Sequence, residues 1–249
     1  MEILEFGDKE NKKIILIHGF QSPYQVWNRY IERYKGDFHV IVPILPGHNP
    51  KEEEDFVSFT QTAKEIEDYC ISCYGNEVYA VFAMSMGGVL AATIWQNKRL
   101  KIEKVIFDGS PLVSFNGFMK KQFIRFYLDI THKTQQREIK TIAQAVNTII
   151  AEENLEDFLS VLDHMTDATI ENYIRSIGDY KLPSDIDTPE TKVYFFHGTK
   201  MNEVLAKKTV KYIKKHYLGA VIKCFEGKGH CENSLLEPDL MMQELSGIL

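Results

Sequence analysis

Cysteine is scarce in this chain. Cys70, Cys73, Cys224 and Cys231 are the only four in 249 residues, too few and too scattered for the disulfide framework of a small secreted domain. Cys70 and Cys73 form a C-x-x-C, but they lie in FTQTAKEIEDYCISCYG, which has helical spacing and lacks a strand before the pair, so a half-buried helix end is expected rather than a redox centre. Positive charge is also short: 29 Lys and Arg against 35 Asp and Glu leave a net charge of −6. That argues against a nucleic-acid partner or an anionic membrane surface, both of which need clustered cations. MEILEFGDKENKK has no basic segment followed by an apolar run, so no signal peptide is expected and the expected location is cytoplasmic. Metal-ligand spacing, a Walker loop, a dinucleotide fingerprint, internal repeats and low-complexity runs are all missing. No metal and no cofactor is expected.

What is present is an ordinary globular balance, 44% hydrophobic and 26% charged, in a length that suits one large domain or a domain with an insertion. One run stands out. VYAVFAMSMGGVLAATIW, Val78 to Trp95, has no charged residue. A membrane span wants about 20 apolar residues of one structural type. Here the first half is strand-like and the second helix-like, with Ser85, Gly87 and Gly88 at the change, so no membrane span is expected.

Short apolar, β-branched runs alternate with amphipathic stretches. Strands are expected at 12–17, 38–43, 77–84, 104–108, 192–196 and 221–225, with MEILEF as an edge strand. Helices are expected at 23–34, 57–74, 87–96, 204–216 and 235–248. This alternation predicts an α/β fold, a mostly parallel central sheet with helices on both faces. From about Leu112 to Pro189 the pattern turns wholly helical (FMKKQFIRFYLDI, IKTIAQAVNTIIA, LEDFLSVLDHM, ATIENYIRSIG). Residues 1–111 and 190–249 are thus expected to form the core, and 112–189 an inserted helical cap, returned by the turn-rich linker 179–192.

Chemistry is expected at the carboxyl ends of the strands, where open α/β sheets bind ligands. AMSMG puts Ser85 at a strand-to-helix corner with small residues, Ala83 and Gly87, two before and two after. This is the nucleophile elbow with alanine in its first place. The helix that follows aims its N–H groups at the serine. LIHGF makes a sharp turn after the first buried strand, so the Phe20 amide, with that of Met86, could form an oxyanion hole. EGKGHCE places His230 in a Gly-flanked loop after the last strand, as a general base for Ser85. His48 is expected to order its turn, His197 to be a loop residue, and the cap charges (Lys120, Lys121, Arg125, Lys133, Arg137, Lys140) to form a solvated face. Met84, Met86, Phe115, Phe118 and Phe123 could line an apolar acyl pocket or simply pack.

On HGF (18–20), LPGH (45–48), AMSMGG (83–88) and GKGHCE (227–232), the sequence resembles the α/β-hydrolase superfamily over roughly 12–110 and 190–249. The resemblance implies an eight-stranded type of core, a helical cap, and a triad with Ser85 as nucleophile and His230 as base. It also implies the Phe20 and Met86 amides as oxyanion donors. The usual acid position after the penultimate strand, G-x-x-D, holds Met201 here. Asp108, at the end of the strand after the elbow helix, is preferred as the acid because dehalogenases and some lipases of the superfamily place theirs there; Glu203 is the alternative. The reading is a serine hydrolase of a small or medium carboxylic ester or thioester, acting on a small-molecule substrate. The rivals are a C–C bond enzyme of the menaquinone-pathway type and a slow-turnover ligand-binding protein of this fold. No H-G-G-P-G loop supports a peptidase, and a serine rather than an aspartate at the elbow speaks against dehalogenation.

Overall fold

The structure, a computed structural model, describes residues 1–146 and 148–249. Seven strands form one sheet in the order β1-β3-β2-β4-β5-β6-β7: β1 (Ile3–Phe6), β2 (Lys13–Ile17), β3 (His39–Pro43), β4 (Glu77–Met84), β5 (Lys101–Asp108), β6 (Lys192–Gly198) and β7 (Val221–Phe225). All neighbours are parallel except β1, which runs antiparallel to β3 and closes that edge. The sheet thus has seven strands among the described residues, not the eight the resemblance implied, because β1 is the last strand on that side. β2, β3 and β4 read as unbroken apolar runs because helices cover both faces, so neither side needs polar residues. One face packs under α2 (Phe59–Tyr74) and α3 (Met86–Asn97), the other against Trp27, α1 (Asn28–Tyr34) and the C-terminal helices.

Two helix expectations need correction. The first helix opens as a short 3-10 turn, Tyr24–Trp27, before α1. The last is two helices, α9 (Glu232–Leu236) and α10 (Pro238–Ser246), because Pro238 cannot continue a helix but suits the first turn of a new one. α8 (Val204–His216) lies where expected.

Among the described residues between β5 and β6 come four α-helices and no strand: α4 (Gly117–Gln135), α5 (Ile139–Val146), α6 (Leu155–His164) and α7 (Asp167–Asp179). Asn116 and Thr166 cap α4 and α7 by accepting N–H bonds from Met119 and Thr169. α7 is the anchor: Ile170, Tyr173 and Ile174 are buried, the Tyr173 ring stacks on Phe56 at 3.6 Å, and its hydroxyl donates to the Pro46 carbonyl at 2.9 Å. α5 has no buried side chain. Among the described residues no helix is long and apolar enough to cross a membrane.

Strand order reverses between β2, which is followed by β3 on one side, and β4, which lies on the other. Ligand crevices in open α/β sheets form outside the strand ends at such a reversal. The loops carrying Phe20 and Ser85 flank it.

Candidate active site

Ser85 lies between β4 and α3 with φ +51 and ψ −120, a strained conformation for a residue with a side chain. The corner closes only because Gly87 lacks a Cβ; one there would lie 2.4 Å from the His18 carbonyl oxygen and 2.7 Å from that of Ile17. The Ser85 N–H donates to the Asp108 carbonyl at 2.7 Å, which ties the corner to the end of β5. Met86 is the first residue of α3, where the N–H groups have no partner within the helix.

His230 meets Ser85. Nε2 lies 2.7 Å from Ser85 Oγ, and Nδ1 lies 3.0 Å from Glu203 Oε1. A carboxylate only accepts, so the ring proton is on Nδ1 and the Ser85 hydroxyl donates to Nε2. Burial alone would lower the His230 pKa, but the Glu203 carboxylate, helped by Asp108, raises it above the ordinary histidine value. Gly109, at φ +63, lets the ring come close, since a Cβ there would lie 2.9 Å from its Cε1.

The preferred acid, Asp108, is therefore not the carboxyl that meets the histidine; the alternative, Glu203, is. The reason lies in the loop after β6. That strand ends at Gly198, and a short 3-10 turn, Met201–Glu203, turns Met201 outward, 94% exposed, and Glu203 inward, fully buried, at the start of α8. Glutamate, one methylene longer than aspartate, reaches the ring from two residues beyond the usual place. Its Oε2 has no partner among the described residues. Asp108 instead accepts the Ser234 hydroxyl at 2.6 Å, and its backbone carbonyl accepts from Cys231 Sγ at 3.4 Å as well as from the Ser85 N–H. Burial pushes the Asp108 carboxyl up to about 6, against the pull of the Ser234 bond and with added repulsion from Glu203.

His18 and His48 fix the loops around the site. His18 Nε2 accepts from the Leu45 N–H at 3.2 Å, and His48 Nε2 accepts from the Gln21 N–H at 2.9 Å. Burial pushes His18 down to about 4 and His48 well below the ordinary value, so both stay neutral and able to accept. The ordering role read for His48 fits this geometry. His197 lies in β6 rather than in a loop, and its Nδ1 donates to the Gly198 carbonyl at 2.8 Å.

A cavity of about 470 Å³ opens above the serine, between the strand ends and α4–α7. Phe20, Ser85, Met86 and His230 form its floor. Among the expected pocket residues, Met86, Phe115 and Phe123 line it. Met84 is buried in the core instead, and Phe118 is 72% exposed outside it. Tyr127 and Gln21 line it too; neither stood out in the sequence, because only the packing of α4 on the core brings them there. Among the described residues no Asp, Glu, Lys or Arg lines the cavity. Lys120, Lys133 and Arg137 are paired elsewhere, with Asp179, Asp129 and Asp163. Among the described residues no cluster of His, Cys, Asp or Glu could hold a metal ion.

No family model matches the chain, and no curated protein is similar to it in sequence. Solved structures are similar end to end. An alpha/beta hydrolase family protein from Desulfitobacterium hafniense superposes with a TM-score of 0.80 at 19% identity, over 99% of each chain. A carboxylesterase of the ammonia-oxidizing thaumarchaeon Nitrososphaera gargenis gives 0.76 at 15% identity, over 99% of this chain and 93% of that one. MenH from S. aureus gives 0.69 at 15% identity, over 98% and 96%.

Proposed function

We propose that this chain, which has the α/β-hydrolase fold, is a serine hydrolase that cleaves an uncharged small or medium carboxylic ester or thioester through an acyl-enzyme. The observation that carries this reading is the unbroken hydrogen-bonded line Glu203–His230–Ser85 opening onto a cavity without charge. On the same reading residues 112–189 are a cap that forms the cavity's roof.

Ser85 Oγ attacks the substrate carbonyl as its proton passes to His230 Nε2. Glu203 holds the Nδ1 proton and stabilises the imidazolium that results. The Phe20 and Met86 amides, the second at the N-terminus of α3, receive the charge that grows on the carbonyl oxygen; one such donor contributes about 10²–10³ in rate. His230 then protonates the departing oxygen or sulfur. Water, deprotonated by the same ring, releases the acid and restores Ser85.

A C–C bond enzyme of the menaquinone-pathway type was the expected rival if the cap offered arginines to a polyanionic substrate. Among the described residues the cavity offers none, and burying an uncompensated carboxylate there is costly.

A fluorophosphonate probe tests the nucleophile. It should label the protein at one site and fail on Ser85→Ala; labelling that survives the substitution overturns the assignment. On p-nitrophenyl butyrate, sustained turnover supports the enzyme, whereas a single-equivalent burst with no further release supports the slow ligand-binding protein.

A further inference from the structure

The loop after β2 holds one residue under strain. Gln21 is 3% exposed and has φ +61, a left-handed conformation that a residue with a side chain keeps only when its surroundings impose it. It is the third residue of a turn closed by the Ser22 N–H donating to the Gly19 carbonyl at 3.3 Å, and two further contacts hold it there. From the core, His48 Nε2 accepts the Gln21 N–H at 2.9 Å. From the cap, the Gln21 side-chain amide donates to Thr131 Oγ1 at 2.7 Å. Thr131 is fully buried in α4, and its hydroxyl donates in turn to the Tyr127 carbonyl at 2.7 Å. The neighbouring Phe20 ring packs against Tyr127 of α4 (5.1 Å between centroids) and Tyr173 of α7 (5.2 Å). The other cap-to-core hydrogen bonds described above, such as Tyr173 to Pro46, reach different loops.

We propose that Gln21 is a positioning residue that sets the Phe20 amide through Thr131, so that the oxyanion hole is complete only while α4 is seated on the core. This rests on the serine-hydrolase reading, in which that amide receives the oxyanion. The Phe20 N–H lies in the Gly19–Phe20 peptide unit, whose Gly19 carbonyl accepts from the Ser22 N–H at 3.3 Å and from His18 Nδ1 at 2.9 Å. Gln21 is the third residue of that Gly19–Ser22 turn, so its hold on His48 and Thr131 keeps the turn that aims the Phe20 amide. A substrate too bulky to leave α4 in place thus loses rate at the chemical step rather than affinity alone. The strain at Gln21 has a use in this scheme, since releasing Thr131 lets the loop relax away from the reacting geometry.

Three variants test it on p-nitrophenyl butyrate. Thr131→Val removes the acceptor. Gln21→Asn withdraws the amide while suiting the left-handed backbone better than glutamine does. Thr131→Ser keeps the hydroxyl. Thr131→Val and Gln21→Asn should each lower kcat about tenfold, since small misplacements of reacting groups cost factors of this size. KM should hold within about twofold, and the double variant should be no slower than either single, as for two ends of one interaction. The second-order rate of fluorophosphonate labelling should fall in parallel, and Thr131→Ser should behave as the parent. A kcat that stays at the parent value in both Gln21→Asn and Thr131→Val, even with a lowered melting temperature, overturns the proposal and leaves the hydrolase reading intact. Hydrolysis that survives Ser85→Ala overturns both.

Discussion

His230 feels two buried carboxyl groups, and only Glu203 meets its ring. Glu203→Gln, which swaps an acceptor for a group that can present the wrong face to Nδ1, should lower kcat by about 10³–10⁴. Asp108→Asn should keep most of the activity. On the proposed reading His230 is a base that works deprotonated, so kcat/KM should rise with pH through a midpoint above the ordinary histidine value, about 6.5, and the midpoint should move down in Glu203→Gln. Asp108 carries a different signature. Its folded pKa of about 6 lies above the unfolded value of about 3.9. The folded state therefore holds this proton more tightly, and the stability the group contributes at low pH is lost as pH rises through about 6. Asp108→Asn should gain on the parent by about 2 kcal/mol between pH 4.5 and pH 7.5, as read by denaturant melts. Ser85 and His230 were legible because small neighbours and flanking glycines mark them in the sequence. The carboxyl that meets the His230 ring was not, because which one reaches it depends on how the chain turns after β6, and Met201 occupies the place where a residue count alone would put an acid.

At the scale of elements, the elbow is the least forgiving joint. A methyl group at Gly87 would meet two backbone carbonyls, and neither can move without shifting the end of β2. Gly87→Ala should cost about 3 kcal/mol or more, measured as a drop in the unfolding midpoint, or leave the protein insoluble. The parallel strands and most helices could be read from the chain, since apolar runs of 5–8 residues and a 3.6-residue apolar period are local signals. Breaks were harder. The helix expected over 235–248 overlooked Pro238, and the strand expected from Lys104 begins at Lys101, where exposed Lys101 and Glu103 alternate with buried Ile102 and blur the apolar run.

At the scale of the molecule, the helical insertion was visible in the sequence but its enclosed space was not, because a cavity wall is assembled from side chains far apart in the chain. On the proposed reading that wall sets substrate range. Along a series of p-nitrophenyl esters from acetate upward, kcat/KM should climb about fourfold per added methylene until the cavity is full. A hemisuccinyl ester of matching length should lag the neutral one by about 10² or more, since nothing in the wall compensates its carboxylate. A charged ester that matches its neutral counterpart would contradict the uncharged wall as the source of selectivity.

α5 and α7 both line the cavity, on unequal foundations. α7 is pinned by the buried Ile170, Tyr173 and Ile174, whereas α5 lends Thr141, Gln144 and Ala145 to the cavity and packs Ile142, Ala145 and Val146 on the core only part-buried. If the insertion roofs the cavity as proposed, that roof has a firm side and a loose side. Amide protons of α5 should exchange with deuterium through small local openings, at rates far above those of α7, whose release needs the Phe56–Tyr173 stack to come apart. Ester entry and acid release should then pass beneath α5, and turnover of long-chain substrates should follow the opening rate of that one helix.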